Sequence, residues 1–255
     1  SGGVHEYRDE DTGRQCQLGD SGYRGAWEGT YMKRVAIVPV KRLSEAKMRL
    51  SQVLLPKERR VITVMMLKDV LQALEDSELL DGIIVVGTDT SVKRLVKNYE
   101  ARFVKEPSVG LNASIEYATK WSLKNGATSV LAILADIPLV NKTDIEETAR
   151  LGLEAAVVIS PSRAEGTNAL LRTPPDAIET EYGHRSFITH LRRVQEGDIS
   201  FRALWTPSLS FDVDTPGDLW ELLQRRANTY TSKFLEDIEM RKRLIKYWKK
   251  VKRVL

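Results

Sequence analysis

The chain has 255 residues, 42% of them hydrophobic and 29% charged, with 39 basic against 35 acidic side chains and a formal net charge of +4. That is the composition of a globular protein able to bury a sizeable core, and the charge is too mild to mark a nucleic-acid partner. The one cysteine, Cys16, excludes an intrachain disulfide and suits a reducing cytoplasm; His5, His184 and His190 are too scattered for a histidine-rich metal site; no run approaches the ~18 apolar residues of a membrane span.

Residues 1–31 are polar and glycine-rich, without apolar periodicity, and are expected to form a flexible leader or tag outside the fold. A single domain is expected over residues 32–226. Val35 to Val40 is a continuous apolar run, as in a strand buried on both faces. Pro56 to Leu74 reads as a helix, with Ile62, Met66, Val70, Ala73 and Leu74 on one face. "GIIVVG" (82–87) is the second strand, a helix is expected near Ser91 to Asn98, and Arg102 to Val104 is a short third strand. Asn112 to Lys124 reads as a helix, "SVLAIL" (129–134) as a strand, and Asp144 to Leu151 as a helix. Asn141-Lys142-Thr143 matches a glycosylation sequon and reads better as the start of that helix. "AAVVIS" (155–160) and "TNALLR" (167–172) are strands, Ser186 to Val194 is a helix, and residues 200–205 and 209–213 are further strand candidates. Residues 227–255 are expected to be a basic helical extension, with Phe234, Ile238, Ile245 and Trp248 at helical spacing. It suits packing or self-association, and membrane-surface or nucleic-acid attachment is the alternative. This βαβ alternation predicts an α/β fold, a Rossmann-like mostly parallel mixed sheet with helices on both faces and ligands at the carboxyl ends of its strands.

The strand tips are where polar residues gather. The first strand runs into Lys41, Arg42, Lys47 and Arg49 without a glycine; the second ends at Asp89, the third at Glu106 and "GLN" (110–112), and the fourth at Asp136. Asp212 and Asp214 alternate in "FDVDTPGDL", so on a strand they point the same way. Each has a plainer role too: strand-end aspartates cap helices, Asp214 can cap the helix that follows, and loop cations are solvated. Together, cations at one tip and carboxylates at others are what a magnesium–nucleoside triphosphate requires, with hard oxygens for the ion and cations for the outer phosphates. Asp136 paired with Asp212 or Asp214 would make the metal site.

"VPVKRLSEAKMRL", "GLNASIEYA", "LADIP", "EGTNALL", "YGHRSF" and "FDVDTPGDL" occur in that order. In this the sequence resembles the 2-phospho-L-lactate guanylyltransferases, of the nucleotidyltransferase superfamily that includes the molybdenum-cofactor guanylyltransferases. The resemblance covers about residues 34–225. It implies a nucleotide-diphospho-sugar transferase-like fold, and a cytoplasmic enzyme that couples GTP to 2-phospho-L-lactate with Mg2+. The products would be lactyl-2-diphospho-5'-guanosine and pyrophosphate, in deazaflavin coenzyme biosynthesis. Relatives use phosphoenolpyruvate or 3-phosphoglycerate. By the resemblance Lys41, Lys47 and Arg49 face the triphosphate, Thr167, Asn168, Gly183 and Ser186 hold the acceptor, and Asp89, Glu106, Gly110 and Asn112 line the guanine pocket. It also implies a homodimer. A glycine pair is expected before Thr167, but Glu165 stands ahead of Gly166, and a carboxylate there repels an anionic acceptor unless it faces away. Two other readings compete: a glycosyltransferase holding a nucleotide-sugar through Asp212-Val213-Asp214, and a binding module acting through the basic C-terminal helix.

Overall fold

The apolar run after residue 33 forms strand β1 (Arg34–Val40), every residue of it buried. The computed structural model describes residues 33–106 and 110–252, so Cys16 and the leader expected over residues 1–31 lie outside the described residues. β1 is central because it alternates between two cores. Ala36, Val38 and Val40 pack with Leu67, Val70, Leu71 and Leu74 of helix α1 (Pro56–Glu75). Val35 and Ile37 pack on the opposite face with Ala118 of helix α3 (Leu111–Lys124). A period of two with both phases apolar is what a strand covered on both faces requires.

Six further strands complete the sheet: β2 (Gly82–Gly87), β3 (Ala101–Lys105), β4 (Ser129–Ile133), β5 (Val157–Pro161), β6 (Thr167–Arg172) and β7 (Phe201–Ala203). Their spatial order is β3-β2-β1-β4-β6-β5-β7. β6 runs antiparallel to both β4 and β5, and the other pairings are parallel. The reversal has a functional consequence: the start of β6 lies beside the end of β4, with Ile133 opposite Ala169 and the Leu134 amide donating to the Asn168 carbonyl at 2.9 Å. Thr167 and Asn168 thereby join the edge where the parallel strands end.

Helices α2 (Thr90–Val96), α4 (Lys142–Leu151), α5 (Ser186–Glu196) and α6 (Pro216–Arg225) fill the connections. Asn141 caps α4 in a reciprocal box with Asp144, as the helix-start reading of the sequon requires. Two expectations fail. Residues 209–213 form no strand: the amides of Leu209, Ser210 and Phe211 bond locally to Thr206 and Ser208, while the Val213 amide bonds across to the Asp136 carbonyl at 3.0 Å and the Ser210 carbonyl accepts the Arg163 amide at 3.2 Å. The C-terminal segment is two helices, α7 (Tyr230–Asp237) and α8 (Met240–Val251), because Glu239 turns left-handed between them at φ 51°. Their Leu235, Met240 and Leu244 are buried in one cluster with Leu50, Ile62, Met66, Phe211 and Val213. Residues 230–251 therefore pack one apolar face against the core, as the packing reading expects.

Candidate active site

Lys47 is the centre of the arrangement at the strand tips. Beyond β1 the chain turns through a loop, and Lys47 takes a left-handed conformation, φ 52° and ψ 44°, ahead of a short 3-10 helix, Met48–Gln52. That backbone costs a non-glycine residue roughly 1–2 kcal/mol, and here it turns the side chain inward. The Lys47 Nζ donates to Asp136 Oδ2 at 2.6 Å and to Asp214 Oδ1 at 2.7 Å, with only 7% of the side chain exposed. Arg49 lies 4.0 Å from the other Asp214 oxygen.

Asp136 follows β4, and its carbonyl takes the Val213 amide, which pins the Asp-x-Asp segment to the β4 tip. Phe211 and Val213 are buried while Asp212 and Asp214 face outward, so the expected alternation survives without a strand. Asp214 does not cap α6. Thr215 does so, and Asp218 reaches back to accept from the Asp214 amide at 3.0 Å and the Thr215 amide at 2.7 Å. This frees the Asp214 carboxylate for Lys47.

Asp212 senses the other two carboxylates. Burial raises the Asp212 pKa, and the charges of Asp136 and Asp214 push it the same way. Burial pushes Asp214 up as well, but the Lys47 ammonium, aided by Arg49 and Lys41, overcomes it and leaves Asp214 below its ordinary value. Burial pulls Lys47 down, and its two carboxylate partners more than reverse this, so it stays charged. Among the described residues, no three His, Cys, Asp or Glu side chains form a preformed metal cage. Asp136 Oδ1 is nevertheless buried without a partner. An orphaned carboxylate oxygen beside a second acid fits an ion such as magnesium, held by one or two carboxylates with the remaining positions filled by phosphate and water.

A second group surrounds the start of β6. The Phe187 amide donates to the Glu165 carbonyl at 3.1 Å, which ties the β5–β6 turn to the first turn of α5. Thr167, Asn168 and Ser186 are all buried there. Gly183 has φ 157° with open space where a Cβ would stand. The Glu165 carboxylate turns outward to Arg185 Nε at 2.7 Å, so its charge is matched at the surface. Asn168 spends its amide on the Leu209 carbonyl at 2.7 Å, bracing the loop that leads to Asp212.

The residues expected around guanine have the following partners. Asp89 caps α2 through the Ser91 amide at 2.8 Å. Glu106 is buried against the Ser114 hydroxyl. Asn112 accepts the Tyr182 amide at 2.7 Å and donates to the Tyr182 carbonyl at 3.0 Å, a two-sided clamp on the residue before Gly183. Gly110 precedes α3 with φ 139°, a conformation that favours glycine. Lys41 is exposed and reaches the centre through its charge on Asp214 alone. The sequence reading missed His190: Ser186, His190 and Val194 form a buried stripe at four-residue spacing, and that periodicity is the signal which marks the histidine as inward-facing.

Comparisons with known proteins show the family and the fold. Residues 34–251 match the family model described as "Guanylyl transferase CofC like". A phosphoenolpyruvate guanylyltransferase of Sphaerobacter thermophilus is 37% identical over 192 residues, 75% of this chain and 93% of the relative. A 2-phospho-L-lactate guanylyltransferase of Methanocaldococcus jannaschii is 33% identical over 208 residues, 81% of this chain and 90% of the relative. Among solved structures, a putative nucleotide-diphospho-sugar transferase from Desulfovibrio desulfuricans G20 superposes with a TM-score of 0.70 at 17% identity, covering 84% of this chain and 97% of that one. At that identity the likeness speaks for the fold.

Proposed function

The chain belongs to the CofC-like guanylyltransferase family, and from that premise we propose that it transfers a guanylyl group from GTP to 2-phospho-L-lactate, giving lactyl-2-diphospho-5'-guanosine and pyrophosphate. The observation that carries this reading is the Lys47 ammonium held between Asp136 and Asp214 at the strand tips. An acceptor phosphate oxygen attacks the α-phosphorus in line, the bond from phosphorus to the β-phosphate oxygen breaks, and pyrophosphate departs with the electron pair. The acceptor is already ionised at neutral pH, so no general base is needed. Catalysis rests on bringing two polyanions together and on fixed charge where negative charge spreads.

Asp136 with Asp214 or Asp212 would hold Mg2+, and when bound the ion neutralises the α-phosphate as a Lewis acid. Lys47, Arg49 and Lys41 stand on the side that receives the leaving pyrophosphate. Thr167 and Ser186, buried together with Asn168 near the start of α5, suit the carboxylate and phosphate of the acceptor. 2-Phospho-L-lactate carries the two groups on one carbon, and 3-phosphoglycerate does not. Phosphoenolpyruvate shares the feature and is the second reading, favoured by the 37% identity to enzymes named for it in Sphaerobacter thermophilus and Rubrobacter xylanophilus. A place in deazaflavin coenzyme formation, a homodimer and a cytoplasmic location accompany the proposal; among the described residues no helix is long and apolar enough to cross a membrane.

The test is a matrix of four nucleoside triphosphates against the three phosphorylated acids, following pyrophosphate release in magnesium. Release with GTP and a 2-phosphorylated acid is expected. Silence in every cell would remove the enzymatic reading, and Asp136→Asn retaining near-normal turnover would remove the metal assignment.

A further inference from the structure

His190 is fully buried beneath the acceptor group, one helical turn beyond Ser186 on α5. The Glu181 backbone amide reaches its Nε2 at 3.0 Å. A backbone N–H can only donate, so Nε2 must be the acceptor and a neutral ring must carry its proton on Nδ1. Nδ1 lies 2.9 Å from Thr167 Oγ1. The ring therefore donates to the threonine oxygen and occupies one lone pair. The hydroxyl's own proton then has to be given elsewhere, and among the described residues the protein offers it no acceptor. Burial, reinforced by the charges of Arg172 and Arg193, lowers the histidine pKa to about 4, so the ring keeps one proton at neutral pH. A second proton would also oppose the Glu181 amide. The sheet fixes the other partner, since Thr167 opens β6 at the edge beside Asp136.

We propose that His190 is a positioning residue that fixes the Thr167 hydroxyl as a hydrogen-bond donor to the anionic group of the phosphorylated acceptor. The assignment rests on the guanylyl-transfer reading and gives it a direction: the Glu181 amide sets the tautomer, the tautomer sets the hydroxyl, and the hydroxyl favours a fully ionised oxygen over a neutral or donating group. The Tyr182 ring meets the imidazole edge-on, with centroids 5.3 Å apart, and holds its plane. Asn112, by clamping Tyr182, is the outer support of the same chain.

Two substitutions separate the ring's two hydrogen bonds. Asparagine places its amide nitrogen where Nδ1 stands and keeps the Thr167 bond while losing Glu181; glutamine places its terminal oxygen where Nε2 stands and does the reverse. His190→Gln is expected to raise the acceptor KM by about tenfold or more with the GTP KM within about twofold, since the Thr167 hydroxyl is no longer held as a donor toward the charged group. His190→Asn is expected to stay close to wild type in the acceptor KM. Combining His190→Gln with Thr167→Val should cost little beyond Thr167→Val alone, because both act through one hydroxyl. A purely structural histidine would make Asn and Gln alike or order them by stability. Imidazole nitrogen shifts of the resting wild-type protein supply a readout independent of turnover: a protonated Nδ1 with a bare Nε2 is expected, and the opposite tautomer overturns the assignment. Wild-type turnover with an unchanged acceptor KM in folded His190→Gln overturns it as well. Absence of wild-type turnover with every acceptor would overturn the guanylyl-transfer reading, and this assignment with it.

Discussion

Replacing Lys47 by methionine keeps the length of the side chain and removes one charge from between two acids. Asp136 and Asp214 then face each other uncompensated, and on the proposed reading a bound triphosphate would lose its nearest buried cation. Because that charge acts in a largely water-excluded position, kcat/KM for GTP is expected to fall by about 10²–10³, read from steady-state pyrophosphate release. Arg49→Met, whose side chain is 79% exposed, should cost less than about tenfold, since solvent screens it. Equal losses in the two variants would contradict the central place given to Lys47. At the same scale His190 makes stability depend on pH. Its folded pKa of about 4 lies below the ordinary 6.5, so between those values the unfolded chain binds a proton that the folded one refuses. Stability then rises with pH across the window, and acidification through it costs about 3 kcal/mol from this group. Urea unfolding at pH 7 and pH 4.5 should show His190→Asn losing about 2 kcal/mol less than wild type between the two conditions. Parallel losses would place the histidine's titration elsewhere.

Among the elements, α7 and α8 change most between sequence and structure. A run of cations with loosely spaced apolar residues reads as one packed or self-associating helix with a solvated basic face, because nothing local marks Glu239 as the turn that splits it. What decides the matter is tertiary: Leu244 meets Leu50, Ile62 and Phe211, far away along the chain. Leu244→Ala is expected to cost about 2–5 kcal/mol in urea unfolding, whereas Ile245→Ala, 42% exposed on the same helix, should stay within about 0.5 kcal/mol. Similar small values for both would contradict that packing. The sheet was more legible, since continuous apolar runs such as Val35–Val40 and "GIIVVG" announce strands buried on both faces. The Asp-x-Asp segment shows the limit. Its alternation was readable, but whether alternation becomes a strand depends on a free sheet edge, and residues 209–213 meet instead the carbonyl of Asp136 and their own turns. Asp136, Lys47 and Asp214 were legible as strand-tip chemistry; the clamp of Asn112 on Tyr182, a residue read instead as lining the guanine pocket, and the seat of His190 were not, because they involve backbone groups of Tyr182 and Glu181 that no side-chain pattern reveals.

The whole molecule brings the site together from segments separated by much of the chain: the loop after β1, the tip of β4, the start of β6 and the segment before α6. Each is tied to the global core, with Leu50, Phe211 and Val213 in one cluster and Val38, Val40 and Ile133 in another. Opening the site therefore means disrupting the folded body rather than lifting a flap, and a ligand that binds across these segments should stabilise the molecule as a unit. Magnesium–GTP at a hundred times its dissociation constant contributes about 2.7 kcal/mol. For a domain of this size that corresponds to a rise in Tm of about 5–10 °C. The same nucleotide should shift Lys47→Met much less, because its midpoint for binding moves beyond the concentration used. GTP without magnesium should shift wild type less as well, since the unpartnered oxygen of Asp136 then faces the phosphates directly. Differential scanning calorimetry with GTP, magnesium and both together separates these contributions. An equal shift with and without the ion would place the nucleotide away from Asp136, and no shift at saturation would mean that the strand tips do not bind the nucleotide in this form.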